Sequence, residues 1–125
     1  MAGLTQIVID ADDPPRLARF WAAAADGYAV RAYDAAEIAR LAAAGLTPET
    51  DPVVMVDGPG PTLCFQARRG PRPFRNRLHL DLAAVDRAAE VARLVALGAT
   101  FWRSAAGYTT LRDPEGNPFC LVDAG

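Results

Sequence analysis

A short pattern of polar residues occurs twice along this chain, and the repeat constrains its fold more than any other feature. Gln6 is followed after seven residues by Asp13, and His79, the single histidine, is followed after seven residues by Asp86. Internal self-similarity of this kind is typical of domains built from repeated structural units. The repeat therefore predicts two similar modules within one chain.

A second pair of matching segments lies further along each half of the chain. Segments 57–64 and 113–120 each begin with aspartate, carry a glycine at the fourth position and end with cysteine. The only two cysteines, Cys64 and Cys120, thus occupy equivalent positions. This register predicts pseudo-two-fold symmetry, with a binding site between the two copies.

Composition is that of an ordinary globular domain. Of the 125 residues, 51% are hydrophobic and 22% are charged, which is enough apolar material for the core of one domain. The net charge of -2, with no basic stripe, argues against a nucleic-acid partner. We see neither a membrane-spanning run nor a signal-peptide pattern, and therefore expect a cytoplasmic protein without a membrane partner. Two cysteines are too few for a disulfide framework.

Hydrophobic periodicity assigns a β-α-β-β-β order to each half. Strands are predicted at 4–10, 28–33, 52–56, 62–66, 77–82, 100–103, 108–112 and 118–122. Helices are predicted from Asp13 to Gly27 with Phe20 and Trp21 in the core, over the additional segment 34–44, and from Asp86 to Gly98 with Val91, Leu94 and Val95 facing inward. Helices dispersed among hairpins indicate an α+β fold. One domain, 1–125, is expected, with module one over about 1–68, a linker over about 69–75 and module two over about 76–125.

Alternation along the predicted strands separates an apolar face from a polar face. Leu78, Leu80 and Leu82 share the apolar face of one strand, which a helix should cover. If the two sheets pair and curl, the opposite face lines a bowl, and such a concave surface is the default position for a ligand. The polar face carries Gln6, Cys64, Gln66, His79, Asp81 and Cys120.

Three motifs connect this pattern to a known family. They are Phe20-Trp21 in the first helix, Asn-Arg-Leu-His-Leu-Asp at 76–81 and Asp-Pro-Glu-Gly-Asn at 113–117. Together they resemble the glyoxalase-like branch of the vicinal oxygen chelate superfamily, which includes glyoxalase I, extradiol dioxygenases and bleomycin- and fosfomycin-resistance proteins. The resemblance covers almost the whole chain. It implies two β-α-β-β-β modules that form a half-open, curled sheet around a pocket.

The resemblance also implies where a metal would bind. Metal-using members place one ligand on the first strand and one on the last strand of each module, which here are Gln6, Cys64, His79 and Cys120. Glutamate is usual where this chain has the two cysteines, and carboxylates suit hard ions such as Mg²⁺, Mn²⁺ or Fe²⁺. We therefore expect no metal of the usual kind. A divalent metal held by these four residues is the alternative, and zinc accepts cysteine and histidine.

Two residues are candidates for proton transfer. His79 is suited to general acid–base chemistry near neutral pH, and Asp81 lies two residues away on the same predicted face. The alternatives are that His79 only hydrogen-bonds a ligand or a neighbouring strand, and that Asp81 caps a turn or pairs with Arg77 or Arg112.

The remaining candidates are ligand-binding residues. Arg77 and Arg112 are suited to an anionic group, although solvated arginines are also common at a rim. Tyr108 and Trp102 are suited to stacking on an aromatic ligand, and core packing is the alternative for Trp102. The full predicted set comprises Gln6, Cys64, Gln66, Arg77, Tyr108, Arg112 and Cys120.

These observations predict a glyoxalase-like protein that binds a small organic molecule between its modules, without the usual metal site. One alternative is a metal-dependent lyase, isomerase or dioxygenase with an altered ligand set, so catalysis stays open. A second alternative is an interaction module without a site. Because exposed sheet edges can pair, a homodimer is a further expectation.

Overall fold

The computed structural model describes residues 1–73 and 75–124; Phe74, within the predicted linker, and Gly125 lie outside the described residues. The chain divides into two compact units, Met1–Pro71 and Arg72–Gly125, called the first and second units below. The division falls inside the predicted linker. Among the described residues, no helix is long and apolar enough to cross a bilayer.

The first unit contains a four-stranded sheet and two helices. In chain order the elements are β1 Gln6–Ala11, α1 Pro14–Ala24, β2 Ala29–Val30, α2 Ala35–Ala43, β3 Val53–Asp57 and β4 Thr62–Ala67. The strand predicted at 28–33 is reduced to the two residues of β2. Strand β1 pairs in parallel with β4, and β3 pairs antiparallel with both β4 and β2, so that the strand order is β1-β4-β3-β2.

The second unit repeats this topology without the extra helix. Its elements are β5 Leu80–Ala84, α3 Arg87–Leu97, β6 Thr100–Ala105, β7 Tyr108–Arg112 and β8 Pro118–Asp123. Its strand order is β5-β8-β7-β6, again with a parallel pair followed by antiparallel neighbours. The α+β class and the repeated β-α-β-β-β module are thus confirmed.

Aspartates begin all three helices of the described chain. Each carboxylate accepts a hydrogen bond from the backbone N–H three residues later, which satisfies a donor that has no partner inside the helix. Proline follows Asp13 directly, at a helix position where its missing N–H costs little. The three bonds are Arg16 to Asp13, Glu37 to Asp34 and Ala89 to Asp86.

Helix α1 packs its apolar face on the first sheet. Leu17, Phe20 and Trp21 are buried, and the two aromatic rings meet edge to face at 5.4 Å between centroids. On the sheet, Val56 and Phe65 are fully buried. The prediction that Phe20 and Trp21 belong to the core is confirmed.

Helix α3 packs differently, because Leu94 is its single buried residue. Val91 is half-buried, and the side chain of Val95 is 44% exposed, so the prediction that Val95 faces inward is wrong. Successive residues lie about 100° apart around a helix, so Val95 points away from the narrow buried face that Leu94 occupies.

The strand predicted to begin at Arg77 begins instead at Leu80. Leu78 is 74% exposed and does not belong to the apolar face. The side chain of Asn76 donates a hydrogen bond to Asn117 at 2.8 Å, which anchors the preceding segment by a side chain rather than by strand pairing.

The two matched aspartates occupy different places in the turns. Asp57 is the last residue of β3, where its carboxylate accepts hydrogen bonds from Arg31 and Thr62. Asp113 follows the end of β7, so the second turn is one residue longer than the first. The sequence repeat therefore aligns these residues, but the strand pairing does not.

Candidate functional site

Three polar residues converge on one face of the second sheet. His79 Nδ1 lies 3.1 Å from Asp81 Oδ1, and the potential metal-ligating atoms of His79, Asp81 and Cys120 all lie within 4.8 Å of one another. Asp81 and Cys120 are partners in the parallel pairing of β5 and β8, which explains their proximity. We call these three residues the His79 cluster.

The His79 cluster is accessible to a ligand. The side chains of His79 and Asp81 are 58% and 55% exposed, and Cys120 is partly exposed. On the neighbouring strand, Thr110 pairs with Cys120, and its hydroxyl lies 3.6 Å from the cysteine Sγ. The imidazole, carboxylate and thiol of the His79 cluster therefore lie on one sheet face, next to the hydroxyl of Thr110.

A side-chain network holds the segment that carries His79. The amide of Asn117 donates to the buried carboxylate of Asp113 at 2.9 Å, and its oxygen accepts from Asn76 at 2.8 Å and from Arg72 at 3.3 Å. The same turn leads into β8 and Cys120. The network thus links the segment that carries His79 and the strand that carries Cys120 to the same turn.

Sequence reasoning did not find this network, although its residues lie in two of the quoted motifs. Each motif contains an asparagine, Asn76 in one and Asn117 in the other, and this pair could have indicated a link between the two segments. Amide side chains both donate and accept, so a pair of them suits a link between two backbone segments.

The proposed partners of Asp81 are corrected by the structure. Among the described residues its side-chain hydrogen-bond partner is His79, and neither Arg77 nor Arg112 forms an ion pair with it. Arg77 is exposed in the segment before β5. The guanidinium of Arg112 instead lies over the ring of Trp102, at 4.1 Å from its centroid.

The two aromatic candidates are accessible on the second sheet. Trp102 is 43% exposed, so core packing is ruled out as its role. Tyr108 is 38% exposed and begins β7, two residues from Thr110 and therefore on the same face. Both can contact a molecule bound to this face.

The first unit presents a different set at the equivalent positions. Gln6 is exposed at the start of β1, whereas Cys64 is 4% exposed and pairs with Val8. Gln66 donates a hydrogen bond to Asp10 at 3.1 Å, a contact that the sequence analysis did not anticipate.

Burial determines the chemistry of the first thiol. Desolvation raises the pKa of Cys64, and the more weakly acting charge of Arg31 lowers it. Because metal ligation and nucleophilic attack both require thiolate, the raised pKa disfavours both roles for Cys64.

The two units therefore differ in the metal-ligating side chains that they offer. Cys64 does not suit a metal site, while His79, Asp81 and Cys120 offer nitrogen, oxygen and sulfur donors of the kinds that zinc accepts. The donor set of the second unit fits a soft divalent ion better than Mg²⁺, which prefers oxygen alone.

Comparison with known proteins gives the family. A family model described as a glyoxalase-like domain matches residues 6–122. The chain belongs to the glyoxalase-like domain family. It is thereby a member of the vicinal oxygen chelate superfamily, as its motifs predicted. Curated protein sequences give no significant match.

Solved structures share the fold of this glyoxalase-like protein at low sequence identity. A glyoxalase/bleomycin resistance protein/dioxygenase family enzyme from Burkholderia phytofirmans is 17% identical, with a TM-score of 0.66 and 98% of each chain covered. The fosfomycin resistance protein FosX from Listeria monocytogenes is 14% identical, with a TM-score of 0.66, covering 100% of this chain and 95% of its own. FosX from Mesorhizobium loti is 13% identical, with a TM-score of 0.68, covering 100% and 94%.

Proposed function

We propose that this glyoxalase-like protein binds a small organic molecule on the polar face of the second sheet, at the His79 cluster. The convergence of His79, Asp81 and Cys120 within 4.8 Å carries this proposal. A few convergent polar groups beside exposed aromatic side chains are typical of small-molecule sites. Trp102 and Tyr108 supply the aromatic surface.

The pair formed by His79 and Asp81 gives this site an acid–base function. When Nδ1 carries the proton, it donates a hydrogen bond to the carboxylate of Asp81 at 3.1 Å, and Nε2 is left with a lone pair that can act as a base. A carboxylate in this position fixes the tautomer and the orientation of an imidazole. The dyad would thus accept a proton from a ligand carbon or hydroxyl.

Nuclear magnetic resonance tests the binding site directly. A library of small aromatic acids, amides and phenols is screened against ¹⁵N-labelled protein, and amide shifts are mapped. We expect the largest shifts at residues 79–82, at Thr110 and at Cys120. The single histidine gives one set of imidazole signals. The dissociation constant obtained from their shifts should equal the one obtained from the amide shifts.

A matched variant separates this site from the first unit. His79→Gln should weaken binding by about tenfold, as expected for loss of a hydrogen bond to a charged or strongly polar group. Gln6→Ala changes the equivalent position of the repeat and should leave the affinity unchanged. Ligands that shift only first-unit amides, or that bind His79→Gln as well as the wild type, would overturn the proposal.

The donor set of the His79 cluster favours one second candidate, a divalent metal site with an altered ligand set. His79, Asp81 and Cys120 would hold the ion, which would polarise an oxygen of a bound molecule as a Lewis acid. Cys64 would take no part, because its pKa is raised.

Metal analysis distinguishes the two candidates. Protein purified without chelator is assayed for zinc, cobalt, manganese and iron by mass spectrometry, alongside Cys120→Ser and Cys64→Ser. One zinc per chain, lost in Cys120→Ser and retained in Cys64→Ser, would establish the metal function. Ligand binding by metal-free protein at full affinity would exclude it as a requirement.

A further inference from the structure

Strand β6 contains an irregularity that redirects one side chain. In the pairing of β6 with β7, Phe101 is opposite Leu111 and Arg103 is opposite Thr110, which leaves Trp102 without a partner. An extra residue of this kind is a β-bulge, and bulges often redirect a side chain near functional sites. Trp102 is 43% exposed.

Two arginines gather at the redirected tryptophan. The guanidinium carbons of Arg112 and Arg103 lie 4.1 Å and 4.8 Å from the centroid of the indole ring. Each contact is an attractive cation–π interaction, but the two positive charges repel one another. The arrangement therefore concentrates positive charge at an accessible aromatic surface.

Neither guanidinium forms an ion pair within the described part of the chain. Other arginines of the protein do have carboxylate partners, as Arg87 has in Asp123 and Arg93 has in Glu90. A guanidinium stacked on a ring retains N–H donors at its edge, and this fork matches an oxyanion. Arg103 and Arg112 thus have donors available for an external anion.

The strand register joins these arginines to the His79 cluster. Arg103 pairs with Thr110, Thr110 with Cys120, and Cys120 with Asp81, so one row of partners crosses the sheet. Residues paired in this way share a face. Arg112 lies two residues from Thr110 on β7 and belongs to that face.

The spacing sets the size of a molecule that would reach both places. Arg112 lies on β7 and Asp81 on β5, with β8 between them. Arg112 is opposite Pro118, two residues along β8 from the Cys120 that pairs with Asp81. Two strand spacings of about 4.8 Å and two residues of about 3.3 Å separate the two backbone positions by roughly 12 Å. That span suits an organic molecule with a ring or short chain between its anion and its reacting end.

We propose that Trp102, Arg103 and Arg112 form an anion-binding patch and that the molecule bound beside His79 is an organic oxyanion. The edges of the two guanidinium groups bind its carboxylate, phosphonate or phosphate, and the indole contacts its apolar part. This inference rests on the proposed function and adds the chemical class of the ligand.

Fluorescence of Trp102 tests the patch with defined probes. Trp21→Phe removes the other of the two tryptophans, so that the remaining emission comes from Trp102. Phenylacetate and its neutral counterpart phenylacetamide are titrated in this background. We expect phenylacetate to bind roughly tenfold or more tightly than phenylacetamide, because charge-assisted hydrogen bonds are strong.

Charge-matched variants assign the effect to the patch. Arg112→Gln or Arg103→Gln should remove the preference for phenylacetate, and Arg112→Lys should restore it only in part, because lysine lacks the planar fork. Arg93→Gln, which removes the same charge from α3, should retain it. Equal affinity for the two probes, or an unchanged preference in both glutamine variants, would overturn the proposal.

Collisional quenching provides a readout that needs no specific ligand. The ratio of iodide quenching to neutral acrylamide quenching is measured for Trp102 before and after Arg112→Gln. We expect the substitution to lower this ratio, because the patch concentrates anions. An iodide-to-acrylamide ratio that this substitution does not change would contradict the patch. Phenylacetate and phenylacetamide that both bind near His79 with equal affinity would leave the proposed function intact and refute the anionic ligand alone.

Discussion

The two units share one topology and use it in opposite ways. Helices α1 and α3 have the same length of 11 residues, yet α1 buries seven residues and α3 buries one. On the sheets, the first unit places a buried thiol where the second places a partly exposed thiol beside an imidazole and a carboxylate. The same scaffold thus has more buried apolar helix surface in the first unit and a cluster of polar side chains in the second.

Equivalent helix positions make this difference testable. Trp21 follows the N-cap Asp13 by eight residues, and Leu94 follows Asp86 by the same interval. Both side chains are buried, with 3% and 0% exposure. The two helices therefore differ in how many other residues they bury, and not in the burial of these two side chains.

The largest effect is expected in the first unit. Trp21→Ala should lower the free energy of unfolding by about 3–5 kcal/mol, because it removes a large ring and leaves a cavity against the sheet. Urea unfolding followed by circular dichroism measures this loss. The exposed neighbour Arg19→Ala should stay within about 0.5 kcal/mol of the wild type. A loss below about 1 kcal/mol for Trp21→Ala would show that the α1 core is not as well packed as described.

The second effect concerns the matched residue of α3. Leu94→Ala should cost about 2–4 kcal/mol, which is less than the tryptophan because fewer atoms are removed. Its neighbour Val95→Ala should change stability by less than about 0.5 kcal/mol, since that side chain is already exposed. Equal losses from the two substitutions would mean that α3 buries a broader face than one leucine.

The third effect separates position from stability. Asn117→Ala should cost about 1–2 kcal/mol, because hydrogen bonds to Asp113 and Asn76 are lost. It should also broaden or shift the imidazole signals of His79, whose segment the network holds. Arg31→Gln, in the first unit, is the control that should leave those signals unchanged. Unaltered imidazole signals in Asn117→Ala would exclude a positioning role for the network.

The smallest effect lies on the surface of the first unit. Hydrogen bonds from Arg31 and then Thr62 lower the pKa of Asp57, so this carboxylate favours the folded state above its ordinary pKa of 3.8. Arg31→Gln should therefore cost about 0.2–1 kcal/mol at neutral pH, in the range of exposed pairs. The difference should shrink as the pH falls below 3.8 through the lowered pKa. A difference that grows on acidification would contradict this assignment.

Local signals in the sequence predicted the fold well. Aspartates at helix starts and alternating apolar residues located the elements, and the repeated motifs located two modules. These features act over a few residues, so they can be read from one sequence. The start of β5 could not be predicted in this way. The segment before it is held by a side-chain hydrogen bond from Asn76 to Asn117, which lies 41 residues away in the sequence.

The sequence predicted that His79, Asp81 and Cys120 share one polar face with three further residues, but it did not single them out as a group. The parallel pairing of β5 with β8 was needed for that, because it places Asp81 beside Cys120. Trp102 was assigned no definite role, because a β-bulge shifts the alternation of faces by one residue. No pattern of residue types within β6 indicates where that shift occurs.

The unequal burial of the two cysteines also makes the protein its own reporter. A thiol-reactive dye should modify the partly exposed Cys120 well before Cys64, whose burial and raised pKa suppress its reactivity. One chain would then carry a single label beside the His79 cluster without any substitution. Slower labelling in the presence of a compound would reveal occupancy of the site before the natural ligand is known.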